Sequence, residues 1–191
     1  WQLRSGSCLK MCRTPNPIGN AASGNNKMKS YFQNLAAYNK WANQTLYGAI
    51  SELTQNERQK NLNGFFNSVL GTLNHILVGD LLWMERLEGE GRKPATLDTL
   101  LHDDYEALKR DRFETDERLI QIIDQMTPLT LTENMDYKTS AGVDCHDPVS
   151  GVLAHIFNHQ THHRGQCHHM LSQLGKAPPP LDFIYFLRSK P

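Results

Sequence analysis

Four long segments, in which apolar residues recur at three- and four-residue steps, constrain the fold of this 191-residue chain more than any other feature. The first covers about residues 29–53. The second covers about residues 69–88, between an N-cap at Ser68 and a glycine stop at Gly89. This period is typical of helices that bury one face. The first half of the chain is therefore predicted to be helical.

Two further long helices are expected in the second half. The third covers about residues 101–126, and the fourth covers about residues 148–174, with Asp147 as its N-cap and Pro148 at its first position. Between them, residues 129–144 contain short alternating runs that indicate a hairpin or an extended link. The pattern predicts an all-α four-helix bundle with a long crossover between helices 3 and 4.

The ends of the chain differ from this helical pattern. Residues 1–27 contain no acidic residue and no amphipathic period, so we expect a disordered or extension tail before a domain at 28–191. A transit peptide is an alternative, because the segment is basic and free of acids. The apolar segment 181–187 is expected to pack back on the bundle or across a partner.

Composition argues against several classes of function. The formal charge is zero, and no basic stripe with interleaved aromatic residues follows the first 51 residues, so no nucleic-acid partner is expected. No apolar run approaches the length of a membrane span. Four irregularly spaced cysteines do not form a disulfide framework. We expect a cytoplasmic protein that binds neither nucleic acid nor membrane.

Six of the nine histidines fall between His155 and His169. On a helix, His155, His159 and His163 would lie one turn apart on one face. His155 and His163 are about 12 Å apart along the axis, so a single ion cannot bind all three. Spacing allows a pair plus a ligand from elsewhere, and it leaves His155/His159, His159/His162 and His159/His163 open.

His75 is isolated in the second helix, on a face of apolar and small residues. For such a histidine the simpler interpretation is a core residue with one hydrogen bond. It becomes a candidate ligand only together with the fourth helix, because bundles build metal sites from side chains on facing helices.

Two phrases of the sequence together resemble the DinB family. They are Leu73-Asn74-His75-Ile76-Leu77-Val78-Gly79-Asp80 and His159-Gln160-Thr161-His162-His163-Arg164-Gly165-Gln166, with Trp41-Ala42-Asn43 in the first helix. Members are four-helix bundles, commonly homodimers, that bind a divalent metal through three histidines. The resemblance therefore implies His75, His159 and His163 as metal ligands. The family name refers to damage-inducible expression.

The resemblance also implies two classes of function. Three neutral imidazoles suit zinc or nickel, with manganese or iron as alternatives, and they leave a coordination position open. A metal-dependent enzyme of the thiol-dependent transferase or hydrolase type would act there on a small-molecule thiol or electrophile, although no catalytic residue is identified. The alternative is a non-catalytic, metal-binding stress-associated or dimerisation module. A closed structural site would need Cys167 or His155 as a fourth ligand.

Neighbouring polar residues allow two interpretations each. Arg164 is expected at the surface or in a salt bridge between helices, with the holding of an anionic substrate as the alternative. Gln166 could contact a metal-bound water or a neighbouring helix. Asn74 could orient a ligand or face solvent. Cys167 is expected to be a small buried apolar residue.

Overall fold

The protein is described by a computed structural model that covers residues 17–189, with side chains from residue 24 onward. The helices are α1 (Pro17–Ser51), α2 (Gln55–Gln59), α3 (Val69–Glu88), α4 (Tyr105–Gln125), α5 (Val149–Gln173) and α6 (Phe183–Ser189). The strands are β1 (Asn134–Lys138) and β2 (Asp144–Pro148). The predicted all-α fold class is confirmed, and none of the described helices is long and apolar enough to cross a membrane.

The first helix begins earlier than predicted. α1 starts at Pro17 instead of residue 29, so it takes in part of the segment expected to be a tail. Once a helix has formed, each added residue contributes one more backbone hydrogen bond, and a helix can therefore extend past its packed portion. The expectation for the remaining tail falls on residues 1–16, which lie outside the described residues.

The four long helices form a ring in which α1 and α3 each pack against α4 and α5. One apolar cluster joins the end of α1 to the starts of α3 and α4 and the end of α5. The second cluster joins the opposite ends of the same helices. α3 and α4 therefore run parallel, and residues 89–104 travel the length of the bundle. The crossover thus joins the second and third long helices, whereas the sequence pattern placed it between the third and fourth.

The link between α4 and α5 contains the expected hairpin. β1 and β2 pair antiparallel, with Lys138 opposite Asp144. The hydroxyl of Tyr137 donates to the Asp147 carboxylate at 2.8 Å. The prediction of Asp147 as N-cap is wrong, because Pro148 occupies the cap position and no side chain caps this helix. The ring of Tyr137 lies 5.2 Å from that of Trp83, centroid to centroid, so the hairpin packs beside α3.

The C-terminal segment packs back on the bundle. In α6, the ring of Phe183 lies 5.1 Å from that of Tyr38 in an edge contact, and Phe186 lies 5.8 Å from the same ring. The hydroxyl of Tyr38 donates to the carbonyl of Leu181 at 2.7 Å. The last helix therefore covers α1.

A polar layer crosses the middle of the bundle, between the two apolar clusters. Each long helix contributes to it, and its members are Asn39 and Asn43 from α1, Asp80 from α3, Arg112 and Asp116 from α4, and Gln160 and Arg164 from α5. Arg112 pairs with Asp80 at 2.6 Å and with Asp116 at 2.9 Å. Two buried guanidinium groups thus face two buried carboxylates, which limits the cost of removing their charges from water.

Asn43 and Asn39 connect this layer to α1. Both amides donate to the Asp116 carboxylate at 3.0 Å. Arg164 donates in turn to the side-chain oxygens of Asn39, Asn43 and Gln160, the last at 3.1 Å. Gln160 donates to Asp80, so that hydrogen bonds and ion pairs link all four long helices. The expectation of a surface position for Arg164 is wrong, because these contacts are buried.

Replacing Asp116 with Ala should reduce the free energy of unfolding by about 3–5 kcal/mol, because it leaves two buried guanidinium groups, those of Arg112 and Arg164, with the single carboxylate of Asp80. The matched control is Glu117→Ala. Its carboxylate forms an exposed ion pair with Lys40, for which we expect a loss below about 1 kcal/mol. Urea unfolding of both variants measures the difference. Equal small losses would show that the polar layer does not hold the bundle together.

Candidate metal centre

Three histidines from two helices meet beside the polar layer. His75 projects from α3, and His159 and His163 project from successive turns of α5, because four residues make about one helical turn. Their nearest ring nitrogens all lie within 4.8 Å of one another. The Nε2 atoms of His75 and His159 are only 3.0 Å apart. Within the described part of the chain, no other group of three or more histidine, cysteine or acidic residues has this spacing.

Hydrogen bonds orient two of the three rings. Nδ1 of His75 lies 2.8 Å from the carbonyl oxygen of Leu97, which can only accept, so Nδ1 carries the proton. Nδ1 of His163 lies 2.8 Å from the side-chain oxygen of Gln166 and donates in the same way. Nε2 of each ring is then left with a lone pair directed at the meeting point. Ligand histidines in metal proteins are commonly held by such a second hydrogen bond.

Asn74 secures the loop that supplies the Leu97 carbonyl. Its amide donates to the His102 carbonyl at 2.9 Å, and its side-chain oxygen accepts from the His102 backbone nitrogen at 2.9 Å. Asn74 therefore orients His75 indirectly, by holding the loop whose Leu97 carbonyl accepts from Nδ1, which is one of the two roles expected from the sequence. Asn74 is buried and does not face solvent.

Two glycines on α3 make the arrangement possible. A Cβ atom at Gly79 would lie 2.8 Å from Cε1 of His159, so the imidazole fits only because this position has no side chain. At Gly71 a Cβ atom would lie 2.2 Å from the backbone oxygen of Phe66. The ring of Phe66 stacks on His75 with centroids 3.8 Å apart. The absence of side chains at Gly79 and Gly71 leaves room for the ring of His159 and for the loop that carries Phe66.

The site favours neutral imidazoles. Burial and the neighbouring imidazoles lower the pKa of His159 to about 3. Burial lowers the pKa of His75 and of His163 as well, although their hydrogen bonds to Leu97 and Gln166 act in the opposite direction. A neutral imidazole is the form that binds a metal ion. The donor set therefore fits a late first-row divalent ion.

The two candidates for a fourth ligand do not join the three histidines. Cys167 is fully buried, and burial raises the pKa of its thiol to about 12. It is the small buried residue that the sequence predicted. The ring of His155 lies 5.8 Å from that of His159 and forms part of a cavity wall instead. Among the described residues, these three histidines alone form the group.

A cavity of about 300 Å³ opens beside His75 and His159. Its other lining residues are Gly79, Leu82, Trp83, Arg86, Leu97, Tyr137, Thr139, Ser140 and His155. This volume is at the lower end of the range for small-molecule sites. The sequence did not identify Arg86, Trp83 or Tyr137 as site residues, because the hairpin and the loop place them there. The sequence signal that could have identified Arg86 is its spacing from His75 and Gly79, which places all three on one face of α3.

This protein is a four-helix bundle in which facing helices bring three neutral histidines together beside a small cavity. The sequence model of the DinB family matches residues 25–191. The chain is 30% identical over 166 residues to Protein DinB of Bacillus subtilis, covering 84% of this chain and 95% of that protein. It belongs to the DinB family, as its sequence phrases predicted.

A solved structure shares the fold. The crystal structure of a DinB-like protein from Bacillus cereus superposes with a TM-score of 0.55 at 20% identity. The match covers 73% of this chain and 89% of that chain. At this identity the likeness shows the fold alone, and it supports the arrangement of helices described above.

Replacing Gly79 with Ala should displace the imidazole of His159 while leaving the bundle folded. Alanine favours the helix by about 1 kcal/mol over glycine, and this gain offsets part of the cost of moving the ring. The position of the ring can be read from a crystal structure, or from the imidazole ¹⁵N shifts. Gly165→Ala is the control, because a Cβ atom there has no neighbour within 4 Å. An unmoved His159 ring would contradict the close contact.

Proposed function

We propose that this DinB-family protein is a metal-dependent enzyme, of the thiol-dependent transferase or hydrolase type, that acts in the cavity beside His75, His159 and His163. The observation that carries the proposal is the open arrangement: three ligand-capable nitrogens converge, and the space next to them is a cavity instead of a fourth protein ligand. Structural zinc sites are usually closed by four protein ligands, whereas catalytic sites keep one position open.

The chemistry of the residues selects the kind of metal. All three donors are imidazole nitrogens, and no described carboxylate or thiol belongs to the group. This set suits zinc or nickel better than magnesium or calcium, with manganese or iron as alternatives. When bound, such an ion would lower the pKa of water or a thiol, or polarise a carbonyl group.

The surrounding residues have identifiable tasks under this proposal. Leu97 and Gln166 keep the Nδ1 protons of His75 and His163 in place, so that Nε2 remains a donor to the ion. Phe66 covers His75 and limits the access of water from its side. Trp83 and Tyr137 give the cavity aromatic walls. We also propose, on family grounds, that the protein acts as a homodimer in the cytoplasm.

Replacing His75, His159 or His163 singly with Ala should abolish stoichiometric metal binding, because each removes one of only three protein ligands. Elemental analysis after dialysis against zinc or nickel measures the content, and circular dichroism checks the fold. His169→Ala is the control, since this exposed histidine of the same helix lies outside the group. Full metal content in His163→Ala would show that a different pair on α5 binds the ion.

The metal-loaded protein should consume electrophiles in the presence of a small thiol, or hydrolyse an activated ester or amide, at least tenfold faster than the His159→Ala variant. Chelation should remove the activity, and zinc or nickel should restore it. X-ray absorption should show three imidazole nitrogens at about 2.0–2.1 Å and one exchangeable ligand. A coordination sphere filled by protein alone would contradict the enzyme and favour a non-catalytic module.

A further inference from the structure

The far end of the cavity contains a cation with no anionic partner. Arg86 lies on the stripe of α3 that also carries His75, Gly79 and Leu82, at steps of four, three and four residues. No carboxylate of the described residues pairs with it. The nearest acids along α3 are already engaged, Glu85 with Lys93 at 3.5 Å and Glu88 with Arg118. Its positive charge is therefore available to a ligand.

Two aromatic rings contact the Arg86 guanidinium. Its central carbon lies 4.5 Å from the ring centroid of Trp83 and 5.0 Å from that of Tyr137. The two rings are inclined by 69° to each other, so the guanidinium can lie face-on to at most one of them. A cation–π contact pairs no anion with the charge, so N–H groups directed away from the rings can donate to a ligand. A planar fork of donors matches a carboxylate. The rings hold Arg86 in place without neutralising it.

The remaining wall of the cavity also suits an anion. Among the described residues, no aspartate or glutamate lines it, whereas Thr139 and Ser140 contribute hydroxyl groups from the hairpin turn. One guanidinium and two neutral hydroxyls balance a single negative charge. A carboxylate therefore fits better than a phosphate dianion, which would call for further cations.

Helix geometry places this cation at a definite distance from the histidines. Gly79, which contacts His159, precedes Arg86 by seven residues, or about 10 Å along the axis. Side chains on a helix lean toward its N-terminus, so the guanidinium reaches back along the cavity and shortens this separation. A small molecule can thus span both ends.

We propose that Arg86, held in cation–π contact with Trp83 and Tyr137, binds the carboxylate of a small organic monoanion whose reactive end lies beside His75 and His159. The inference rests on the proposed function for the reactive end only, because the carboxylate end is built from residues outside the histidine group. It names the substrate class of the cavity as monocarboxylates that carry a thiol or an electrophile several bonds from the carboxylate.

The test uses mercaptoalkanoates, from mercaptopropionate to mercaptooctanoate, and the matching uncharged mercaptoalkanamides, titrated by calorimetry. In metal-free wild-type protein the carboxylate should bind about tenfold or more tightly than the amide, as a hydrogen-bonded charge predicts. Arg86→Gln should reduce this ratio to near one, and Arg86→Lys should retain part of it. A ratio near one in the wild type would overturn the proposal.

The ratio of the affinities for acid and amide distinguishes recognition of the carboxylate by Arg86 from a purely structural role. A variant that merely loosened the hairpin would weaken the binding of both ligands alike. Arg110→Gln, which removes an exposed arginine of α4, should leave the ratio unchanged. In the zinc-loaded protein, affinity should pass through a maximum at an intermediate chain length, because both ends then bind at once. If the acid-to-amide affinity ratio depends on Arg86 but the protein retains no zinc, the carboxylate subsite is supported and the metal site is refuted. If the ratio is the same in the wild type and in Arg86→Gln, the subsite is refuted whatever the metal content.

Discussion

The buried charge layer is the constraint on which the rest of the structure depends. Arg112 pairs with two carboxylates on two helices, and Gln160 and Arg164 join this layer from α5. Burial raises the pKa of Asp80 to about 6, against the opposing effect of the Arg112 guanidinium, which shows how strongly this position is removed from water. Such groups are tolerated only in one arrangement, because a shifted helix would leave a charge unpaired. We interpret the layer as the device that fixes helix register.

Register matters because the layer and the histidines share the same turns. Gln160 and Arg164 each follow a histidine of the site by one residue, which on a helix is a rotation of about 100°. When these two side chains face the core, His159 and His163 must face α3. Asp80 likewise follows Gly79, the position that admits the ring of His159. The polar contacts therefore aim the imidazoles, although they touch no ligand themselves.

Local patterns predicted much of this structure. Helical period and capping residues located α3 and the long link with its hairpin, and the four-residue spacing of His159 and His163 reduced six clustered histidines to a few pairs. The sequence could not show that Arg164 is buried, because a charged residue becomes a core residue only when it finds buried partners, here Asn39 and Asn43 on α1 and Gln160 on its own helix. It could not place the Leu97 carbonyl or Phe66 either, since their positions depend on loops whose paths are set by tertiary contacts such as that of Asn74.

Both ends of the cavity suit a negatively charged ligand. Three neutral imidazoles would leave the charge of a divalent ion undiminished, because none of them carries a compensating negative charge. At the other end, the cation–π contact of Arg86 with Trp83 holds a second positive charge without cancelling it. No described carboxylate lines the space between them. With a divalent ion at the histidines, the cavity would have positive charge at both ends and no carboxylate in its described wall, so it would attract a small anion and disfavour a cation. Under the proposal, the charge of the ligand is thus selected by Arg86 and the hairpin, at positions separate from the three histidines.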